Sequence, residues 1–173
     1  MNRFLISDTH FGHDKIIQYE KRPFDNANQM NRTIISNWNN AVHCEDIVYH
    51  LGDFQLGCSR EELRKIIYSL NGKIILVAGN HDFHDINWYR NNVSDKIIQV
   101  SPTPIILDEW FILSHEPKYI TKSELFCNIY GHVHNDERYR TFTRRTACVC
   151  CERFGYTPIN FEFLKYIMNS CDN

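Results

Sequence analysis

The sequence predicts an α/β or mixed fold. Short apolar, β-branched runs alternate with amphipathic stretches, and no repeat, low-complexity tract or Pro/Gly/Ser-rich linker breaks that alternation. Arg3 to Ser7 reads as the first strand and Asp14 to Glu20 as a short helix. A longer helix follows from Ala27 to Val42, because Met30, Ile34, Trp38 and Ala41/Val42 recur at a spacing that makes one apolar stripe. Ile47 to His50 reads as a strand. Ser59-Arg60-Glu61-Glu62 has the form of a capping box and opens a helix that ends near Leu70, before Asn71-Gly72. Lys73 to Ala78 is a β-branched run suited to a buried strand. A helical turn is expected near Ile86 to Arg90 and a strand over Lys96 to Val100. Ile105 to Leu107 and Trp110 to Leu113 make a hairpin around Asp108-Glu109. Asn128 to Tyr130, Thr146 to Cys151 and Tyr156 to Ile159 are further strand candidates, and Phe161 to Met168 closes the chain as a helix.

With 173 residues, the whole chain from 1 to 173 fits a single domain able to bury a substantial core. Hydrophobic residues make up 43% and charged residues 23%, an ordinary soluble composition. A net charge of -2 argues against stable binding to duplex nucleic acid, which needs a basic footprint. It leaves a small phosphorylated substrate open, since a metal supplies positive charge outside the sequence count. The start, Met1 to Asp8, is too poor in apolar residues for a signal peptide, and no run reaches membrane-spanning length. Seven scattered cysteines do not resemble a secreted disulfide framework, so free thiols in the cytoplasm are expected.

Five motifs carry the chemistry: Asp8-Thr9-His10, Gly52-Asp53, Gly79-Asn80-His81-Asp82, Ser114-His115 and Gly131-His132-Val133-His134. Four directly follow an expected strand. On an extended segment residues i and i+2 face the same side, so Asp8/His10 and His132/His134 can each present two ligands together or divide them between adjacent sites. Strand ends of an α/β sheet gather at one edge, where ligands bind. Carboxylate, imidazole and amide donors without thiolate favour manganese, iron, zinc or nickel over a cysteine zinc site. The donors outnumber the needs of one ion, and two divalent ions sharing a carboxylate suit in-line displacement at phosphorus.

In this order the motifs resemble the calcineurin-like metallophosphoesterase family, and Tyr49 to Phe54, Asn128 to Asn135, Asp8 to His13 and Arg22-Pro23-Phe24 look like its small stand-alone bacterial and phage branch. The resemblance implies two mixed β-sheets packed as a sandwich flanked by helices, a four-layer arrangement with metals at the strand ends. It implies one metal, manganese foremost, on Asp8, His10, His134 and a bridging Asp53, and a second on Asp53, Asn80, His115 and His132. His81 would then protonate the leaving alkoxide rather than ligate, with Asp82 orienting or charging its imidazole. The activity so implied is phosphoester hydrolysis, on a monoester or diester, by a hydroxide bridging the metals. A metal-bearing scaffold without turnover is the alternative.

Other features read less sharply. The segment Phe11 to Phe24 leaves the first strand, which makes His13 and Arg22 candidates for substrate contact, against a plain surface role. His50 is either a donor to a ligand carboxylate or a packed core histidine. Cys148-Val149-Cys150-Cys151 is expected to be strand cysteines with alternating burial rather than a zinc cluster. Arg138, Arg140, Arg144, Arg145 and Arg153 read as a solvated strand face, with a phosphate- or nucleic-acid-binding rim as the other reading.

Overall fold

In the computed structural model, which describes residues 1–121 and 125–171, the β-branched runs pair into two sheets. The first holds β1 (Arg3–Ile6), β2 (Ile47–His50), β3 (Lys73–Val77), β4 (Ile97–Ser101) and β9 (Ile159–Asn160), in the order β4-β3-β2-β1-β9. The four earlier strands run parallel and β9 pairs antiparallel with β1. The second holds β5 (Ile105–Leu107), β6 (Phe111–Ser114), β7 (Cys127–Tyr130) and β8 (Thr146–Cys148), in chain order. Here β5 and β6 are the expected hairpin, with Ile105 opposite Leu113, while β6, β7 and β8 are parallel.

The period of two along each strand divides the core. Phe4, Ile6, Val48, Ile74 and Leu76 face one way, onto α1 (Asp14–Tyr19), α2 (Ala27–Ala41), α3 (Arg60–Ser69) and α4 (Ile86–Asn92). Leu5, Tyr49, Ile75 and Val77 face the other, meeting Leu113, Ile129 and Ala147 of the second sheet and Phe161, Leu164 and Met168 of α5 (Phe161–Ser170). This is the expected pairing of two mixed sheets with flanking helices.

Local signals explain the helix ends. Asn26 caps α2 by accepting the Gln29 N–H, and Ser59 and Glu62 form the reciprocal capping box of α3. The stripe Met30, Ile34, Trp38 on α2 is fully buried. No helix among the described residues is long and apolar enough to cross a membrane.

Two strand expectations are corrected. The strand expected over Thr146 to Cys151 ends at Cys148, and the one over Tyr156 to Ile159 is only Ile159–Asn160. After Cys148 the chain leaves the second sheet to bond the first: Ser7 N–H donates to Val149 O and Cys151 N–H donates to Ser7 O. That crossing turns residues Cys151–Phe154 into a 3-10 helix, closed by Gly155 at φ 57. The burial of the cysteines is not alternating; Cys148, Cys150 and Cys151 are all buried, and all seven cysteines are free.

Candidate metal centre

The parallel strands β1, β2 and β3 deliver Asp8, Asp53 and Asn80 just beyond their carboxyl ends, and β6 and β7 deliver His115, His132 and His134. The exits are stitched together by backbone bonds: Asp8 N–H to Gly52 O at 2.9 Å, His10 N–H to Asp53 O at 3.0 Å and Gly131 N–H to His115 O at 2.8 Å. The two sheets therefore place their terminal loops on one shared floor.

The backbone there is not extended. Asp8, His10, Asp53, His132 and His134 all adopt left-handed φ, between 44 and 70 degrees. The i, i+2 expectation for Asp8/His10 and His132/His134 is corrected accordingly: the side chains converge because the chain coils sharply, not because a strand continues. Left-handed non-glycine residues are sterically costly and persist where the surroundings over-determine them. Gly79 is needed for close approach, since a Cβ there would lie 2.5 Å from Asp53 N and 2.8 Å from the His115 ring.

Each aspartate spends one oxygen on the protein and turns the other to imidazoles. Asp53 Oδ1 accepts the His81 N–H at 3.0 Å; its Oδ2 lies 3.6 Å from His10 Nε2, 3.5 Å from His115 Nε2 and 3.9 Å from His81 Nε2. Asp8 Oδ2 accepts the His132 N–H at 2.9 Å and the Cys150 thiol at 3.3 Å, while Oδ1 lies 3.7 Å from His134 Nε2. Asp8 Oδ1 and His10 Nε2 are buried and have no hydrogen-bond partner. Orphaned polar atoms of this kind are expensive unless something else satisfies them.

The imidazoles carry the same signature. His115 Nδ1 lies 2.8 Å from Leu51 O, a carbonyl that only accepts, so the proton sits on Nδ1. The bare Nε2 then faces Asn80 Oδ1 at 3.0 Å and His132 Nδ1 at 3.1 Å. His134 Nδ1 donates to Glu152 Oε1 at 2.8 Å, which leaves its Nε2 for the cleft. Lone pairs converging on lone pairs repel unless a cation lies between them. Two donors each ~2.1 Å from one ion lie ~3.0–3.4 Å apart, close to these separations. Among the described residues, three overlapping acid and histidine groups fit an ion: Asp8/His10/His134, His10/Asp53/His81 and Asp53/His115/His132. The residues thus fit divalent metal.

Electrostatics follow burial. Burial raises the Asp53 carboxyl, opposed by His115, and lowers His10. Burial also opposes charge on His134, but the Glu152 hydrogen bond and the Asp8 charge outweigh it and carry the imidazolium to about 9, so a metal at Nε2 would displace that proton.

The other anticipated residues lie as follows. His81 is partly exposed beside Asp53. Asp82 does not serve its imidazole: both Asp82 oxygens are taken by the N–H groups of Asp53, Phe54 and Gly79, which locks the two ligand loops together. Burial nevertheless pushes this carboxyl up to about 7. His13 Nδ1 sits 3.3 Å from His10 Nδ1, at the rim. Arg22 is not placed for substrate contact. Its guanidinium is buried and committed, donating to Asp8 O, Thr9 O, Met30 Sδ and Glu152 Oε1. His50 is a core histidine bonded to Thr9 Oγ1 and packed between Trp38 and Phe54. Among the arginines expected on a strand face, Arg153 braces the loop carbonyls of His134, Asp136 and Tyr139, and Arg138 pairs with Asp136.

Glu152 was missed by sequence reasoning. Buried, it joins His134 to Arg22, which in turn clamps the carbonyls of Thr9 and of the left-handed Asp8. Nothing local marks it, since its partners lie 18 and 130 residues away.

Comparison with known proteins agrees with this geometry. The family described as calcineurin-like phosphoesterase matches residues 1–159, a span that contains every ligand motif. An uncharacterized protein of Methanocaldococcus jannaschii is 51% identical over 168 residues, covering 93% of this chain and 88% of that protein. The Gene 66 protein of Mycobacterium phage L5 is 28% identical over 83 residues, 47% of this chain and 40% of that protein. The crystal structure of a protein of unknown function from Aquifex aeolicus superposes with a TM-score of 0.71 at 27% identity, covering 96% of this chain and 98% of that one. The match and the ligand groups together support a phosphoesterase-type hydrolase with divalent metal. The chain belongs to the calcineurin-like phosphoesterase family.

Proposed function

We propose that the protein hydrolyses phosphoesters with two divalent metals, one held by Asp8, His10, His134 and Asp53, the other by Asp53, Asn80, His115 and His132. The observation that carries the reading is Asp53 Oδ2, a single carboxylate oxygen within 3.6 Å of imidazoles belonging to both ligand sets. Bound metals would supply a nucleophilic water of lowered pKa and neutralise the phosphate oxygens. Manganese fits the mixed oxygen and nitrogen donors, as do iron, zinc and nickel.

The chain's own residues supply the rest. Glu152 and Leu51 O hold the His134 and His115 tautomers that leave Nε2 free. His81, the partly exposed imidazole beside Asp53, is positioned to give a proton to the departing alkoxide. Asp82 acts on that step indirectly, by fixing the loop that carries His81. The substrate is a small phosphoester, nucleotides among the candidates. Aryl phosphate mono- and diesters assayed with Mn²⁺ and with chelator test the reading. Hydrolysis should appear with metal and vanish with chelator; no hydrolysis with any of the four metals would restore the scaffold alternative.

A further inference from the structure

Resting on that hydrolytic reading, we propose that the substrates are phosphodiesters, whose two ester groups occupy two separate hollows that border the donor cluster through different ligands. The larger hollow, about 520 Å³, borders on His132 and His134 and is walled by Tyr19 and Tyr139. The smaller, about 170 Å³, borders on Asn80 and His115 and is walled by Phe83, Pro102 and Pro104. A phosphorus centred near Asp53 would send one substituent toward each hollow. A monoester would leave one hollow unused. The larger volume lies within the ordinary range of roughly 300–1,000 Å³ for ligand sites. The smaller is near the ~150 Å³ that accommodates one benzene-sized ring. An exposed aromatic stands at each: Tyr19 is 66% and Phe83 54% exposed, so both offer faces for stacking on a planar ester group.

Charge points the same way. In the larger hollow Lys21 and Arg138 are balanced by Glu20 and Asp136, with Arg138 already paired to Asp136. In the smaller, Lys118 is balanced by Glu116. Arg22 is consumed by Glu152 and by backbone carbonyls. The described walls therefore leave the second charge that a monoester acquires near pH ~6 to the proposed metals alone. A diester carries a single charge. In the reaction water adds to phosphorus as one ester P–O bond breaks; the leaving oxygen takes a proton, and the products are a phosphomonoester and an alcohol.

The test compares kcat/KM for bis(4-nitrophenyl) phosphate and 4-nitrophenyl phosphate on the Mn²⁺-loaded protein and its Tyr19→Ala and Phe83→Ala variants. Calorimetry of diphenylphosphinate against phenylphosphonate, whose P–C bonds do not hydrolyse, provides a readout without turnover. The expected result is a diester preference of at least ~10-fold in both measurements, reduced ~3-fold or more by each exposed-site substitution. Equal or greater efficiency on the monoester, or a ratio that neither substitution moves, overturns the diester assignment and leaves the hydrolytic reading standing. Absence of hydrolysis of both esters with every metal overturns both.

Discussion

Replacing Glu152 by glutamine removes the negative charge that joins a candidate ligand, His134, to a buried arginine. The side chain is about 1% exposed and accepts from His134 Nδ1 at 2.8 Å and from Arg22 Nη2 at 2.6 Å. Burial alone would raise its pKa, but the His134 hydrogen bond and the Arg22 charge win and pull it from 4.5 down to about 2. At ~1.4 kcal/mol for each pH unit, that depression corresponds to roughly 3 kcal/mol of folding stability. The figure agrees with the roughly 3–5 kcal/mol lost when one partner of a buried ion pair is removed. The contribution is complete above pH 4.5 and is lost as pH falls through about 2, because the folded protein then binds the proton that the unfolded chain already holds. Urea unfolding of the metal-free proteins should therefore give Glu152→Gln a deficit of roughly 3 kcal/mol at pH 7 that narrows as pH falls below 4.5. The same variant, titrated with Mn²⁺ at pH 7, should bind about 10- to 100-fold more weakly, because the His134 tautomer is no longer fixed by a carboxylate. A deficit under about 1 kcal/mol at pH 7, or one that is constant with pH, would refute the reasoning.

Three further outcomes follow from the same geometry. Asp53→Asn weakens the oxygen that the two proposed ligand sets share, so metal analysis after dialysis should find both sites depleted together; tight retention of two ions would contradict the shared role. His81→Ala should keep its metal content yet lose ~10²–10⁴-fold in rate on alkyl esters, with a smaller loss on activated aryl esters, and equal losses would count against proton donation. Gly79→Ala forces a Cβ against Asp53 N and the His115 ring. It should cost about 1–3 kcal/mol in urea unfolding and weaken metal binding, and an unchanged midpoint would show that the loops yield more easily than the packing implies.

The strands and helices were legible because each is a local pattern: the Met30/Ile34/Trp38 stripe, the Ser59–Glu62 capping box and the β-branched run at Lys73 need no distant partner to be read. The ligand motifs were legible because donors of one exit loop are contiguous in sequence. What lay outside such windows was harder. The end of β8 is set by bonds from Val149 and Cys151 to Ser7, more than 140 positions away, so a strand pattern continuing to Cys151 misleads. Arg22 looked like a substrate contact because an arginine near a cleft usually reaches solvent; its burial depends on Glu152, which carries no sequence signal of its own. The left-handed backbone at five candidate ligand positions was invisible for a related reason. Aspartate and histidine are not glycine, and their strain is sustained by tertiary bonds rather than by residue type.

The central claim is that two cations share Asp53. Anomalous diffraction from crystals soaked in Mn²⁺ addresses it directly. The account predicts two peaks about 3.5–4 Å apart on either side of Asp53 Oδ2, one beside Asp8, His10 and His134 and the other beside Asn80, His115 and His132. A single peak, or two peaks with Asp53 bonded to only one of them, would contradict it.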